Sequence, residues 1–288
     1  IEKDFTSNYS LGTNIDCINT SLSGHEFNND GKGFNPIGTS SSPFEGTFDG
    51  QNHSISNLWI NRSNQDNVGL FTELRGVLKN LRIKNITVKG DIDVGAVSGR
   101  GGEIKNVSVS GFVEGGSRVG GLTGTMDYDR VLRSSFRGNV SGSDGVGGIT
   151  GRAGDGSIMD SYVNANVTGK DNIGGLIGIC FYDYREDFLI ENSYTSGTVN
   201  GSGDVGGLIG DVDQSLGEVS DSFSTSNVSG GGYVGGLVGS SREDKTYSNN
   251  YYLNNSDSPL PCFGDDTSSD SECLAINDNE DYFKGDVY

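Results

Sequence analysis

The sequence predicts an all-β fold, a single-stranded parallel β-solenoid (β-helix) with about three short strands per coil and a cap at each end. Three observations predict it. A motif of apolar residues and glycine recurs along most of the chain, apolar residues between its copies fall into aligned columns, and residues that favour helices are sparse. One such coil cannot bury its own apolar side chains, so neighbouring coils must stack.

The recurring motif is valine or isoleucine followed by one or two glycines and an apolar residue. Its seven copies begin at Val68, Val94, Val119, Val146, Ile173, Val205 and Val234. Successive starts are 26, 25, 27, 27, 32 and 29 residues apart, which indicates coils with loops of variable length. Because glycine permits positive φ and close backbone approach, we expect the paired glycines at a corner of each coil.

Four columns appear when the units are aligned. The valine column contains Val88, Val113, Val140, Val167, Val199 and Val228. The second apolar column contains Leu78, Ile104, Leu132, Ile158, Ile190, Val219 and Tyr247. Two residues later a polar column contains Asn80, Asn106, Ser134, Asp160, Asn192, Asp221 and Asn249, and a further two residues later an aromatic column contains Phe136, Tyr162, Tyr194, Phe223 and Tyr251. Coils stacked at about 4.8 Å would place equivalent residues above one another, with the aliphatic columns inside.

The predicted domains follow the repeat. Residues 1–60 form an N-terminal cap and the first coils, residues 61–253 form the repeats, and residues 254–288 form an acidic C-terminal cap or tail that contains a disulfide. Caps are needed because an uncovered solenoid end is an open strand edge. With 47 Gly and only 32% hydrophobic residues the chain has a composition that also suits disorder, but a fixed apolar period favours an ordered fold.

The charge and hydropathy of the chain exclude several partners. A formal net charge of −19 disfavours nucleic acid and anionic lipid, and no apolar run approaches the roughly 20 residues that span a bilayer. The acidity indicates a solubilising surface, a salty habitat or bound divalent cations. Because the chain does not start with Met, we expect a removed leader or a longer parent protein that carries an anchor.

The cysteines and sequons indicate secretion. Cys262 and Cys273 enclose a polar loop and are expected to form a disulfide, and Cys17 with Cys180 is a possible second pair. Eleven Asn-x-Ser/Thr sequons are candidates for glycosylation, unless Asn-Val-Ser-Gly is simply a favoured turn of the repeat. They lie at Asn8, Asn19, Asn52, Asn61, Asn85, Asn106, Asn139, Asn166, Asn200, Asn227 and Asn254.

Four short segments carry a resemblance to a known family. Residues 121–124 (GLTG), 175–178 (GLIG), 207–210 (GLIG) and 236–239 (GLVG) resemble the GLUG repeat of bacterial and archaeal surface proteins, and residues 44–58 resemble the segment that precedes such repeats. The resemblance extends over residues 8 to 253, although the first two coils (GLFT and GAVSG) depart from it. It implies a secreted or wall-attached adhesin-like protein and carries no catalytic residues.

Loops that follow the GLxG segments should line one edge of the stack and form a ligand site. The candidate residues are Asp127, Tyr128, Asp129, Arg130, Tyr182, Asp183, Tyr184 and Arg185. Aromatic rings beside charged groups suit a surface glycan or a protein partner. Acidic residues of the same loops, with Asp187, Asp211 and Asp213, would instead suit calcium, while the simplest interpretation is a solvated edge without a ligand.

The aromatic column has two interpretations, core packing or an exposed platform for a polysaccharide. Core packing is the commoner arrangement and is the prediction here. Enzymes occur among parallel β-helices, but the inner columns hold only isolated Asp160 and Asp221, and the two histidines lie far upstream. We therefore expect a non-catalytic structural or adhesion module without a cofactor, with an extracellular filament of end-to-end copies as the alternative.

Overall fold

The protein is a stack of parallel β-strand coils with almost no helix, and this confirms the predicted β-solenoid. The computed structural model describes residues 4–181, 188–213, 216–241, 246–254, 260–265 and 273–277. The only helices in this part of the chain are two 3-10 turns, Ile18–Thr20 and Glu26–Asn28. Neither is long or apolar enough to cross a membrane.

Three parallel sheets run along the stack. The first sheet has 18 strands: Tyr9–Ser10, Ile15–Asp16, Thr47–Asp49, Ser54–Ser56, Trp59–Asn61, Val77–Lys89, Glu103–Glu114, Asp129–Leu132, Ser135–Ser141, Gly156–Met159, Tyr162–Thr168, Phe188–Glu191, Tyr194–Asn200, Leu216–Ser220, Phe223–Ser229, Thr246–Ser248, Asn250–Asn254 and Cys273–Asn277. The second sheet has Ile92–Gly95, Ser117–Gly120, Asp144–Gly147, Asp171–Gly174, Val205–Gly206 and Val234–Gly235. The third has Phe71–Glu73, Ser98–Arg100, Thr123–Met126, Thr150–Ala153, Ile177–Cys180, Ile209–Val212 and Val238–Ser241.

A bend divides the first sheet in every coil. One residue at this bend adopts a left-handed conformation, with φ between 48° and 56°, in Asn80, Asn106, Arg133, Asp160, Asn192, Asp221 and Asn249. Asn and Asp tolerate this conformation better than most residues do. Their side chains also bond from coil to coil: the Asn106 amide donates to Asn80 Oδ1 at 2.9 Å, and Asn249 donates to Asp221.

The buried columns are nearly those that the sequence predicts. The valine column holds in register from Val88 to Val228. In the second apolar column, however, Val131 pairs with Ile104 and Ile158, and Leu132 lies one residue farther on and is only partly buried. The predicted places of Leu132 and of Ser134 were therefore wrong by one residue, because the left-handed position in this coil is Arg133 rather than Ser134.

This register gives a direct test. Replacing Val131 by Ala should lower the free energy of unfolding by about 2 kcal/mol, because a fully buried side chain loses two methyl groups. Replacing the larger Leu132 by Ala should cost about 1 kcal/mol or less, because that side chain is partly in water. Urea denaturation of the two variants measures the difference, and the reverse order would contradict the register.

A column of buried serines follows the bend inside the stack. Ser134, Ser161, Ser193 and Ser222 are each at most 2% exposed. The Ser161 hydroxyl accepts the Ser134 N–H at 3.1 Å and donates to its own coil at Met159 O at 2.7 Å. Ser193 and Ser222 repeat the pattern, so each hydroxyl satisfies backbone groups of two coils that the bend leaves without ladder partners.

Paired glycines lie at the corner between the second-sheet and third-sheet strands, close to side chains of the first sheet. A Cβ built on Gly175 would meet the carbonyl oxygen of Gly207 and lie 2.8 Å from Thr195 Cγ2 of the first sheet. Gly121 has the same relation to Phe136, with a Cβ position 2.5 Å from the ring. The second glycine of each pair is therefore required for space, since no φ in the left-handed region is involved at these two positions.

The two ends differ from the repeats. At the N-terminal end Tyr9–Ser10 and Ile15–Asp16 pair with Thr47–Asp49 and Ser54–Ser56, which in turn pair with the strand Val77–Lys89. At the C-terminal end Cys273–Asn277 pairs with Asn250–Asn254. The predicted disulfide is confirmed, with Cys262 and Cys273 sulfurs 1.99 Å apart.

The possible second disulfide is wrong. Cys17 lies in the N-terminal cap, where its N–H donates to Ser56 O at 2.7 Å. Cys180 lies in the buried core, at the end of a third-sheet strand between Ala153 and Val212. The two thiols belong to different levels of the stack, so they form no bond with each other.

Candidate functional site

The segments that follow the third-sheet strands lie along one edge of the solenoid, where the sequence predicts the loops of the candidate site. The third-sheet strands stack in register, so the segments that follow them share one edge of the solenoid. Asp127, Tyr128, Asp129 and Arg130 lie there, with Tyr128 53% exposed in a left-handed conformation (φ 65°). Tyr182, Asp183, Tyr184 and Arg185 lie outside the described residues, as does Asp187.

Asp127 and Asp129 form a small network at this edge. Arg100 Nη2 donates to Asp127 Oδ2 at 3.1 Å, and the Asp127 N–H donates to Asp129 Oδ2 at 3.1 Å. Burial raises the pKa of Asp129 to about 6, and the nearby charges of Asp127 and Glu103 add to the rise. The backbone N–H groups of Gly102 and Asp127 lower the pKa of Asp129 but do not offset burial.

The raised pKa of Asp129 predicts a specific pH dependence. Between the ordinary Asp value of about 3.9 and about 6, the folded state holds a proton that the unfolded state has lost, so stability falls as the pH rises through this window. In the Asp129→Asn variant, the fall in the free energy of unfolding that is due to this carboxyl group should disappear. Carboxyl carbon NMR of the folded chain should place the Asp129 midpoint near 6, and a midpoint near 3.9 would contradict the assignment.

The calcium interpretation requires several acidic side chains close together, and the described part of the chain contains no such cluster. No three Asp, Glu, His or Cys side chains there converge as a metal site would require. Asp155 lies one coil beyond Tyr128, whose N–H donates to the Asp155 carbonyl oxygen at 2.8 Å. The Asp155 side chain is 2% exposed and neither carboxylate oxygen has a hydrogen-bond partner.

The predicted glycosylation positions are accessible to different degrees. None of the eleven sequon asparagines is buried, and Asn19, Asn61 and Asn254 are partly covered. Asn139, Asn166 and Asn227 share one column on the outside of the first sheet, within strands rather than turns. The Asn166 amide donates to Asn139 Oδ1 at 3.0 Å, so these two side chains bond to each other along the stack.

The aromatic column lies outside the core, and the core-packing prediction was wrong. Tyr162 pairs with Ser135 and Tyr194, while Phe136 pairs with Val163 in a buried column. The outer column continues through Phe223 to Tyr251. Inside the bend the serine column occupies the inward position, so the residue after it points outward.

The outer face on which this column lies is named the ladder face. It consists of Ser135, Arg137, Asn139, Ser141, Tyr162, Asn164, Asn166, Thr168, Tyr194, Ser196, Thr198, Asn200, Phe223, Thr225, Asn227 and Ser229. None of these residues is acidic, although the whole chain has a net charge of −19. Hydroxyls, amides and aromatic rings thus occupy a surface that lacks the negative charge of the remainder.

The rings of the aromatic column, named the aromatic ladder, stack on one another along the solenoid axis. Tyr162 and Tyr194 are parallel within 5° with centroids 5.1 Å apart, and Tyr194 and Phe223 are parallel within 3° at 5.0 Å. Burial raises the pKa of the Tyr194 hydroxyl, the neighbouring Tyr162 adds to the rise, and Arg137 opposes it. Since the rings stack along the axis, the ladder presents ring edges to solvent and not the flat platform that the polysaccharide interpretation requires.

One more concave site lies in the N-terminal cap, and it was missed in the sequence. A cleft of about 700 Å³ is lined by Trp59, His25, Glu26, Asp30 and neighbouring Ser, Asn and Gly residues. Trp59 is held there because its backbone N–H donates to Thr20 Oγ1 at 2.9 Å and its ring lies against Gly33. The single tryptophan of the chain was the only available signal.

Comparisons with known proteins give partial matches. No family model matches the chain. Over 135 residues, 45% of the chain, it is 44% identical to Halomucin of Haloquadratum walsbyi. Over 85 residues, 27% of the chain, it is 39% identical to a Gly-rich membrane protein of Evansella cellulosilytica. The matched regions span about 1% and 10% of those two proteins, so the chain is similar to a small part of each.

Proposed function

We propose that this chain is a non-catalytic structural and adhesion module of a secreted or cell-surface protein. The continuous stack carries the proposal: three sheets remain in register from coil to coil, which suits a rigid rod with repeated outer faces. The similarity to Halomucin, a mucin by name, supports a surface location. The GLUG-like segments and the exposed sequons belong to the same proposal, with glycans attached to part of the eleven asparagines.

Location and chemistry can be tested separately. Antibody raised against the folded chain should label intact, non-permeabilised source cells or their secreted material. Labelling that requires permeabilisation would reject a surface role. Incubation with neutral and acidic polysaccharides should release no new reducing ends or unsaturated products, and release by the purified chain would reject the non-catalytic role.

A filament of end-to-end copies is the second candidate. At the C-terminal end Cys273–Asn277 is the last described strand of the first sheet, and Leu274 is 61% exposed. A strand edge that is left unpaired can pair with another chain. Charge opposes such pairing: residues 171–288 hold 21 Asp and Glu against four Lys and Arg, and residues 1–60 hold seven Asp and Glu against two Lys.

Salt dependence separates the two candidates. If copies stack end to end, fibres with an axial repeat of about 4.8 Å should appear as salt screens the acidic ends, since the Debye length falls to about 3 Å at about 1 M. Light scattering and electron microscopy of the purified chain would measure this. Isolated rods at all salt concentrations would leave the module as the function and reject the filament.

A further inference from the structure

A shelf on the ladder face lies immediately below the first ring of the aromatic ladder. Ser108, Ser135 and Tyr162 occupy one column in three successive coils. Two small hydroxyl side chains are therefore followed by a large ring, which makes a step in the surface. The shelf is defined by these three residues together with Arg133 and Arg137, which flank it.

Tyr162 is the ring whose face is open toward this step. Its upper face stacks on Tyr194, whereas the position below holds only Ser135. No ring or cation among the described residues contacts the lower face, and Tyr162 is 38% exposed. At the other end of the ladder Tyr251 pairs with Leu274, so a side chain follows the last ring.

Two arginines flank the step without partners of their own. Arg137 lies two residues after Ser135 on the same strand and face, diagonal to Tyr162 at about 8 Å between backbones. Arg133 lies two residues before Ser135 at the bend. Both are exposed, and within the described chain neither side chain forms an ion pair or a hydrogen bond.

Arg137 lies on a face without acidic residues, whereas Arg133 has Asp160 as its neighbour in the bend column. Neither guanidinium group forms an ion pair with a described residue, which favours an anionic ligand. Guanidinium binds carboxylate or sulfate through paired N–H donors, and an aromatic face stacks on the apolar face of a sugar ring. The exposed hydroxyl of Ser108 and the exposed amide of Asn164 can provide hydrogen bonds to sugar hydroxyls, whereas Ser135 is only 8% exposed.

We propose that the shelf binds one anionic sugar residue of a polysaccharide, with Tyr162 stacking on the sugar ring and Arg137 and Arg133 holding its carboxylate or sulfate. The proposal narrows the adhesive role proposed above to one ligand class. The shelf proposal rests on that role but can fail separately from it. Cell labelling tests where the protein is located, whereas the binding experiment uses the isolated chain and tests only the ligand.

Calorimetric titration of the whole chain with defined tetrasaccharides tests the proposal. A tetramer of galacturonic acid should bind saturably, and the matched neutral tetramer of galactose should not. Tyr162→Ala and Arg137→Gln should each weaken binding at least about tenfold, while Tyr162→Phe, which keeps the ring, should change it by less than about threefold. A sulfated galactose tetramer shows whether carboxylate or sulfate is preferred, and Tyr162-dependent binding of either supports the site.

Phe223→Ala is the matched control, because it removes a ring of the same ladder two coils from the shelf. It should leave the affinity unchanged, and circular dichroism should show all variants folded. The proposal is overturned if the wild type binds no acidic tetramer, if the neutral tetramer binds equally well, or if Tyr162→Ala has no effect. An equal loss in Phe223→Ala would also overturn it, since the shelf would then not be the site.

Discussion

Gly175→Ala should destabilise the protein by about 3 kcal/mol or more, although it adds only one methyl group. The added Cβ would meet the backbone carbonyl of Gly207 and lie 2.8 Å from Thr195 Cγ2, and a backbone atom cannot move aside as a flexible side chain can. Insertions into a packed interior typically cost about 1–3 kcal/mol and more where backbone must shift. Equilibrium unfolding in urea measures the loss.

Gly12→Ala provides the matched control. Nothing lies within 4 Å of a Cβ at Gly12, and its φ is not in the left-handed region. The same substitution there should leave the free energy of unfolding within about 0.5 kcal/mol of the wild type. If Gly175→Ala is tolerated equally well, Gly175 does not lie as close to Gly207 and Thr195 as the structure has it.

Phe136→Ala should be the most damaging truncation of a side chain, with a loss of about 3–5 kcal/mol. Phe136 is fully buried and contacts Gly121 across the interior, at the level where the aligned positions of later coils hold the smaller Val163, Thr195 and Ser224. Its removal leaves a cavity between two sheets that are each fixed by ladders of backbone hydrogen bonds and cannot collapse inward.

Phe27→Ala is the control for this truncation. Phe27 lies in the N-terminal cap and is 57% exposed, so the same change should cost less than about 1 kcal/mol. Phe136→Leu should recover a large part of the loss in Phe136→Ala because it refills part of the space. Equal losses for Phe27→Ala and Phe136→Ala would show that Phe136 is not in the core.

The sequence predicts the repeat length of the coils, but it does not predict how the strands of one coil, residues 129–141, align with their neighbours. Valine columns and paired glycines recur because every coil meets the same neighbours, so they are visible without a structure. At coil 129–141 the left-handed position holds Arg133, whereas Asn or Asp occupies it in every other coil. The polar column of the sequence therefore includes Ser134, one residue after the true bend position. This shift assigns Leu132 and Phe136 to columns that they do not occupy.

The side on which the aromatic ladder lies could not be derived from alternation. A left-handed residue interrupts the strand just before it, so the period of two is lost at the bend. What determines the outcome is the buried serine between the bend and the ring, because its hydroxyl is needed inside for the backbone groups of two coils. Asp127–Arg130 directly follow a third-sheet strand, as their position after the GLxG segment indicates, and the ligand site that they would form with residues 182–185 stays a prediction.

The order of residues along the chain is also their order along the rod, and this gives the molecule an electrical polarity. Residues 61–170 carry 14 Lys and Arg against 11 Asp and Glu, while residues 171–288 carry 21 Asp and Glu against four Lys and Arg. If the chain stood on a negatively charged surface, this charge distribution would favour the orientation in which the C-terminal end points outward. Orientation toward the medium would then be intrinsic to the module, and strongest in dilute salt.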